Sequence, residues 1–186
     1  MKELSLNILD IVQNSLAAGA AHIDIKLEET PETLRITVTD DGCGMTEETV
    51  RNVTDPFYTT RKTRAVGLGI PFFKLAAEQT GGSLSLKSTP ASEDPVGHGT
   101  EISALFCKTS IDFTPLGDIS STLCTLIQGL NDGTDITFTH SLPGGTVYVS
   151  TAEMRAVLCG VPLSTPEVLV FLKEDLASQY ADLCEQ

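Results

Sequence analysis

The sequence predicts an α/β protein in two parts: a larger one over residues 1–108 and a small α+β unit over 109–186. Three observations carry this. Apolar residues recur at helical spacing from Leu4 to Ala18 and again after Ile70. Alternating apolar runs come in pairs joined by turn signals, and both periods lapse over Thr109–Pro115 before they resume.

Leu4, Ile8, Ile11, Val12 and Leu16 make one stripe of the first helix, and Gly19 stands where a helix C-terminus favours it. Ile23, Ile25 and Leu27, then Leu34, Ile36 and Val38, alternate with polar residues around a Thr30-Pro31-Glu32 turn. They predict an antiparallel hairpin with one buried face. Thr46 can cap a short helix whose first turn holds Glu47 and Glu48 and which ends near Thr54. Residues 55–69 have neither period, carry Arg61, Lys62 and Arg64, and end in Gly67-Leu68-Gly69, so they predict a mobile loop. A second amphipathic helix runs from about Ile70 to Gly81-Gly82, with Pro71 tolerated in its first turn. Strands over Ser83–Ser88 and Thr100–Phe106 follow, separated by a Pro/Gly/acidic loop. In the second unit the pattern predicts a helix near 118–129 and a hairpin of Asp135–His140 and Thr146–Ser150 turning at Pro143-Gly144-Gly145. Helices near 151–159 and 165–183 complete it. A unit this short has a small core of its own, so it is expected to pack against the first.

An apolar content of 41% with 20% charged residues can build a core. The net charge of −13 repels a phosphate backbone and an anionic membrane surface, so neither nucleic acid nor membrane is expected as a partner. No signal peptide or membrane span is legible. Cys43, Cys107, Cys124, Cys159 and Cys184 are scattered and odd in number, which suits reduced thiols of a cytoplasmic protein. With His22, His98 and His140 they offer no compact zinc spacing.

Four segments carry chemistry. On the first helix Asn7, Asp10 and Asn14 are spaced by three and four, so their polar tips share a face. A carboxylate and a carboxamide there suit Mg²⁺, a hard cation that takes oxygen ligands. Asp40-x-Gly42-x-Gly44 sets a carboxylate at a strand end beside glycines that let a flat base approach. Gly67-Leu68-Gly69 opens a helix, where free N–H groups and the dipole favour phosphate, and three cations precede it. Gly97-His98-Gly99-Thr100 begins the last strand of the first part. Each alone also suits a solvated surface or turn; the ordered set is more specific.

That set resembles the boxes of the GHKL ATPases, the superfamily of DNA gyrase B, Hsp90, sensor histidine kinases and MutL. DIVQNSLAAGA looks like the N box, DDGCGM the G1 box, DPFYTT the F box of histidine kinases, GLGI the G2 box and GHGT the G3 box. Over about residues 1–108 the resemblance implies a Bergerat-type two-layer sandwich, a mixed or antiparallel sheet with helices on one face. It implies ATP and Mg²⁺ as cofactors. Asn14 would coordinate Mg²⁺, Asp40 would bond the adenine amine, and Gly42 and Gly44 would shape the pocket. Thr100 would support adenine, and Gly67, Leu68 and Gly69 would wrap the phosphates. Arg61 would meet the terminal phosphate, with Phe57 and Tyr58 anchoring the lid.

Two departures from the family pattern stand out. Asp10 replaces the Glu that activates water in many members and is one methylene shorter, which leaves hydrolysis open. Ala65 replaces the glycine that often opens the G2 box, which stiffens the lid. The N box lies at the start of the chain, so a phosphoacceptor histidine is expected on another chain. The resemblance therefore implies Mg-dependent ATP binding with lid switching and slow hydrolysis, acting on a signalling or regulatory partner protein. A kinase subunit that phosphorylates Ser, Thr or His on a separate protein and a non-hydrolysing ATP-bound adaptor are the alternatives, and a homodimer is compatible with the sequence. Residues 109–186 carry no recognisable catalytic spacing and suggest partner docking.

Overall fold

The apolar stripe of the first helix becomes the buried side of α1 (Leu4–Ala17), where Leu4, Ile8, Ile11 and Val12 have almost no exposed surface. The structure is a computed structural model and describes residues 3–53 and 69–184. The alternating runs form β1 (His22–Glu29) and β2 (Thr33–Asp40), closed by a Thr30 N–H bond to the Thr33 carbonyl at 2.8 Å. Helix α2 (Glu47–Asn52) starts at Thr46, whose side chain accepts from the Thr49 N–H, with Glu47 and Glu48 at the positive end of its dipole. Helix α3 (Gly69–Gln79) leads into β3 (Ser83–Thr89) and β4 (Gly99–Cys107). Then come α4 (Ile119–Gln128), β5 (Asp135–Leu142), β6 (Gly145–Ser150), α5 (Thr151–Leu158) and α6 (Pro166–Cys184). Asp118 caps α4 by accepting from the Ser121 N–H at 2.8 Å.

The six strands form one sheet in the order β3-β4-β2-β1-β5-β6, antiparallel throughout except where β1 meets β5. Period-two alternation sends Ile23, Ile25, Leu27, Ile36, Val38, Ala104 and Phe106 to a single buried face. Helices α1, α3, α4 and α6 bury their apolar sides against it in one continuous core. Phe73 of α3 packs on Phe106 of β4 with ring centroids 5.6 Å apart. The opposite face is polar, with Asp24, Lys26 and Arg35 exposed and a Thr37–Ser103 hydroxyl pair at 3.0 Å. The result is a two-layer α/β sandwich, the fold class the resemblance implies.

The strands from residues 109–186 continue that sheet. Parallel pairing aligns Ile23 with Ile136 and Ile25 with Phe138, so the new strand extends the buried face without a register break. A polar junction fastens it. Lys108 Nζ lies 2.6 Å from Glu29 Oε1, and His140 Nε2 lies 3.1 Å from Glu29 Oε2. The Tyr180 hydroxyl lies 2.8 Å from His140 Nδ1. The sequence reading puts His140 at a strand end; β5 instead runs on to Leu142, and His140 is 2% exposed within it. Its pairing with β1 makes this inward-facing histidine part of the core rather than the end of a strand. Among the described residues no helix is long and apolar enough to cross a membrane.

Candidate functional site

The C-terminal turn of α1 and the end of β2 meet at Ser15 and Asp40. The Ser15 hydroxyl donates to Asp40 Oδ2 at 2.6 Å, and the Gly42 N–H donates to Asp40 Oδ1 at 3.0 Å. Both oxygens are thus held by the protein, and the half-buried carboxylate keeps lone pairs for a further donor. The neighbouring Asp41 is spent on structure: it accepts from the backbone N–H of Ala21 at 2.7 Å and of His22 at 2.8 Å. Burial pushes the Asp41 carboxyl up, and the hydrogen bonds from His22 and Ala21 outweigh that to hold it below the usual carboxylate range. Two adjacent aspartates therefore have separate roles.

The turn after β2 is fixed between α1 and the β3–β4 edge. The Cys43 N–H donates to the Ala18 carbonyl at 2.9 Å, and the Ala91 N–H to the Cys43 carbonyl at 3.0 Å. Gly44 has φ 67° and touches the Thr89 carbonyl so closely that any Cβ there would overlap it. Gly42 is buried, and a Cβ on it would stand 2.8 Å from that of Ala18. His98 Nδ1 donates to the Gly42 carbonyl at 2.6 Å, so the G-x-G-T segment reaches the D-x-G-x-G turn directly.

Thr100 lies opposite Asp40 in the β2–β4 ladder. Its hydroxyl is 2.8 Å from Ser88 Oγ, which donates to the Gly99 carbonyl and accepts from the Met45 N–H, each at 2.8 Å. Since the single Ser88 proton goes to Gly99, the Thr100 hydroxyl donates to Ser88. Its own oxygen is left as an acceptor.

Asn14, next to Ser15, and Asp10, one turn before Asn14, face the start of α3. A Cβ placed on Gly69 would lie 3.3 Å from Asp10 Cβ and 3.8 Å from both Asn14 Nδ2 and Asp10 Oδ2. The third member of the predicted polar face behaves differently: Asn7 is 2% exposed, and its Nδ2 has no hydrogen-bond partner among the described residues. It belongs to the interior, not to a wet surface. Arg61, Gly67, Leu68, Phe57 and Tyr58, with residues 55–68 of the predicted lid loop, lie outside the described residues, and Gly69, expected to close that loop, is the first residue of α3.

Asp10, Asn14, Asp40, Gly42, Gly44, Gly69 and Thr100 thus flank one helix and the turn beside it. The sequence reading missed Ser15 and Ser88. Ser15 had a signal, since it interrupts the apolar stripe one step after Ile8 and Val12; a polar residue at a buried helical position asks for a partner. Ser88 had none, because its role depends on cross-strand register.

Residues 1–110 match the family model described as histidine kinase-, DNA gyrase B-, and HSP90-like ATPase. The chain is 29% identical over 90 residues to sporulation kinase B of Bacillus subtilis, covering 47% of this chain and 21% of that protein. It is 31% identical over 84 residues to the tetrathionate sensor histidine kinase TtrS of Salmonella typhimurium, covering 45% and 14%. It is 41% identical over 58 residues to the human mismatch repair endonuclease PMS2, covering 31% and 7%. The chain therefore spans a small part of these relatives. The crystal structure of the N-terminal domain of a DNA repair protein superposes with a TM-score of 0.57 at 16% identity, covering 80% of this chain and 52% of that one, a likeness of fold.

Proposed function

Because the chain belongs to the histidine kinase-, DNA gyrase B- and HSP90-like ATPase family, we propose that it binds Mg-ATP beside α1 and passes its nucleotide state to a partner protein. One arrangement carries this reading. Helix α1 holds Asp40 through Ser15 in its last turn and, on the side toward α3, sets Asp10 and Asn14 against Gly69. An acceptor for a base and oxygen groups for a cation are thereby spaced along a single rigid element.

In this reading Asp40 accepts from the exocyclic amine of adenine, and the Thr100 oxygen offers a second acceptor nearby. Gly42 and Gly44 keep the turn thin enough for a flat base. The backbone of Gly67, Leu68 and Gly69 and the first turn of α3 donate to phosphates, as helix N-termini do. Arg61 adds a cation at the terminal phosphate. Asn14 would hold Mg²⁺ through its side-chain oxygen, as suits a hard cation. Asp10 orients or deprotonates water. Bound Mg-ATP supplies an electrophilic terminal phosphorus. Residues 55–69 act as the lid whose state the partner reads, and amide exchange there should slow when ATP is added.

The similarity to a sporulation kinase and a sensor histidine kinase favours a second reading, in which the terminal phosphate moves to Ser, Thr or His of a separate protein. ATP labelled at that phosphate, incubated with the chain and candidate partners, separates the two. Released phosphate supports the switch, and label on protein supports transfer. Tight binding with neither supports an adaptor that holds ATP as a structural group.

A further inference from the structure

Helix α6 is apolar on two sides. Val168, Leu172 and Leu176 face the core, while Phe171 is 64% exposed and Val170 57% exposed. A helix in a small protein gains nothing in isolation from a second apolar stripe. Across from it α5 exposes Val157 at 82%. Between them, floored by β6, runs a groove of about 490 Å³ whose apolar wall includes Tyr148, Met154, Val157, Leu158 and Phe171. Its other side chains are acidic. Glu153, Glu167 and Asp175 line it, and Glu174 flanks Phe171 on the adjoining surface. Among the described residues no lysine or arginine lines either surface and no ion pair neutralises these four carboxylates.

We infer that this groove is a docking site for a basic amphipathic helix of a partner protein. Two other occupants fit less well. Strand addition to β6, the edge of the sheet, is obstructed by Gln179: its Oε1 accepts from the Tyr148 N–H at 2.8 Å and its Nε2 donates to the Tyr148 carbonyl at 3.1 Å. That side chain occupies the ladder position an incoming strand needs. A second copy of this chain, paired about a two-fold axis, would bring one acidic rim against the other in a molecule of net charge −13. A helix with lysine or arginine along its polar face and leucine-like residues on the other satisfies both halves of the groove. The site shares no residue with the nucleotide-binding region, so it stands apart from that reading.

The test uses the full chain without nucleotide and a fluorescein-labelled amphipathic peptide of leucine and lysine, with a leucine–glutamate counterpart. The lysine peptide should bind saturably and the glutamate peptide should not. Phe171→Glu removes the exposed apolar anchor and makes the chain more acidic, so it separates docking from plain charge attraction. It should weaken the lysine peptide by about tenfold or more, as loss of an aromatic hot spot does. Glu167→Lys with Glu174→Lys should also weaken it and admit the glutamate peptide. Circular dichroism checks that each variant remains folded. Lysine-peptide binding that Phe171→Glu leaves intact or strengthens would overturn the proposal, as would no binding at all. So would a dimer of the parent, seen by sedimentation, that Phe171→Glu dissolves.

Discussion

His140 Nε2 lies 3.1 Å from Glu29 Oε2, joining the strand contributed by residues 109–186 to the first strand of the ATPase-family region. The other ring nitrogen is 2.8 Å from the Tyr180 hydroxyl. The Glu29 carboxylate can only accept, so in the neutral ring the proton sits on Nε2 and Nδ1 accepts from Tyr180. Burial lowers the His140 pKa, with Glu29 opposing. Burial, then the Glu29 charge, pushes the Tyr180 phenol up, so it stays protonated and can donate.

A pH dependence follows with a definite sign. The folded-state pKa of His140 lies below the unfolded value of about 6.5, so above that pH the ring is neutral in both states and contributes no slope. As pH falls below it, the unfolded chain takes the proton first and stability declines. Urea midpoints measured from pH 7.5 downward should fall as pH drops below about 6.5, and His140→Phe should flatten that fall. At pH 7.5 the same substitution should cost about 1 kcal/mol by leaving the partly buried Tyr180 hydroxyl without its His140 partner.

Asp40→Asn should weaken ATP binding by about 1–3 kcal/mol, because the amide can present a donor to the adenine amine. Calorimetry measures it directly, and equal affinity would sink the adenine assignment. GTP should bind far more weakly than ATP, since its carbonyl would face a carboxylate. Ser15→Ala should give a smaller loss, because the Gly42 N–H still holds the other oxygen of Asp40.

Gly69→Val tests the contact between α1 and the start of α3. A Cβ already stands 3.3 Å from Asp10 Cβ, so a branched side chain must push the two helices apart at the phosphate end. ATP affinity should fall while the circular dichroism spectrum stays that of the parent. Unchanged affinity would remove Gly69 from the site.

Asn14→Ala should abolish the magnesium dependence of binding, since it deletes an oxygen ligand from a cation with strict geometry. Asp10→Asn should leave affinity nearly intact and slow any hydrolysis by about 10²–10⁴, the contribution of a positioned general base. Asp10→Glu restores the missing methylene and should speed phosphate release if the parent carboxylate is only too short. A silent parent with an equally silent Glu variant would defeat the hydrolysis reading and leave transfer or structural ATP.

What the sequence determined by itself was local. Periods of 3.6 and 2 depend on neighbours a few positions apart, so Leu4–Val12, Ile23–Leu27 and Leu34–Val38 announced their elements and buried faces. The glycine-flanked motifs were equally legible, because their residues lie a few positions apart, although the Thr89 carbonyl that stands against Gly44 was not. Tertiary structure decided what depends on pairing across the chain. Parallel addition of β5 to β1 makes one sheet of two sequence segments, and it turns His140 from a strand-end residue into a buried link between Glu29 and Tyr180. The meeting of α1 with the end of β2 gives Asp40 its Ser15 partner and leaves Asp41 to the backbone. The outward stripe at Val170 and Phe171 also waited on the fold: the sequence predicted a helix near 165–183, and only the packing of Val168, Leu172 and Leu176 shows which side is left for something else.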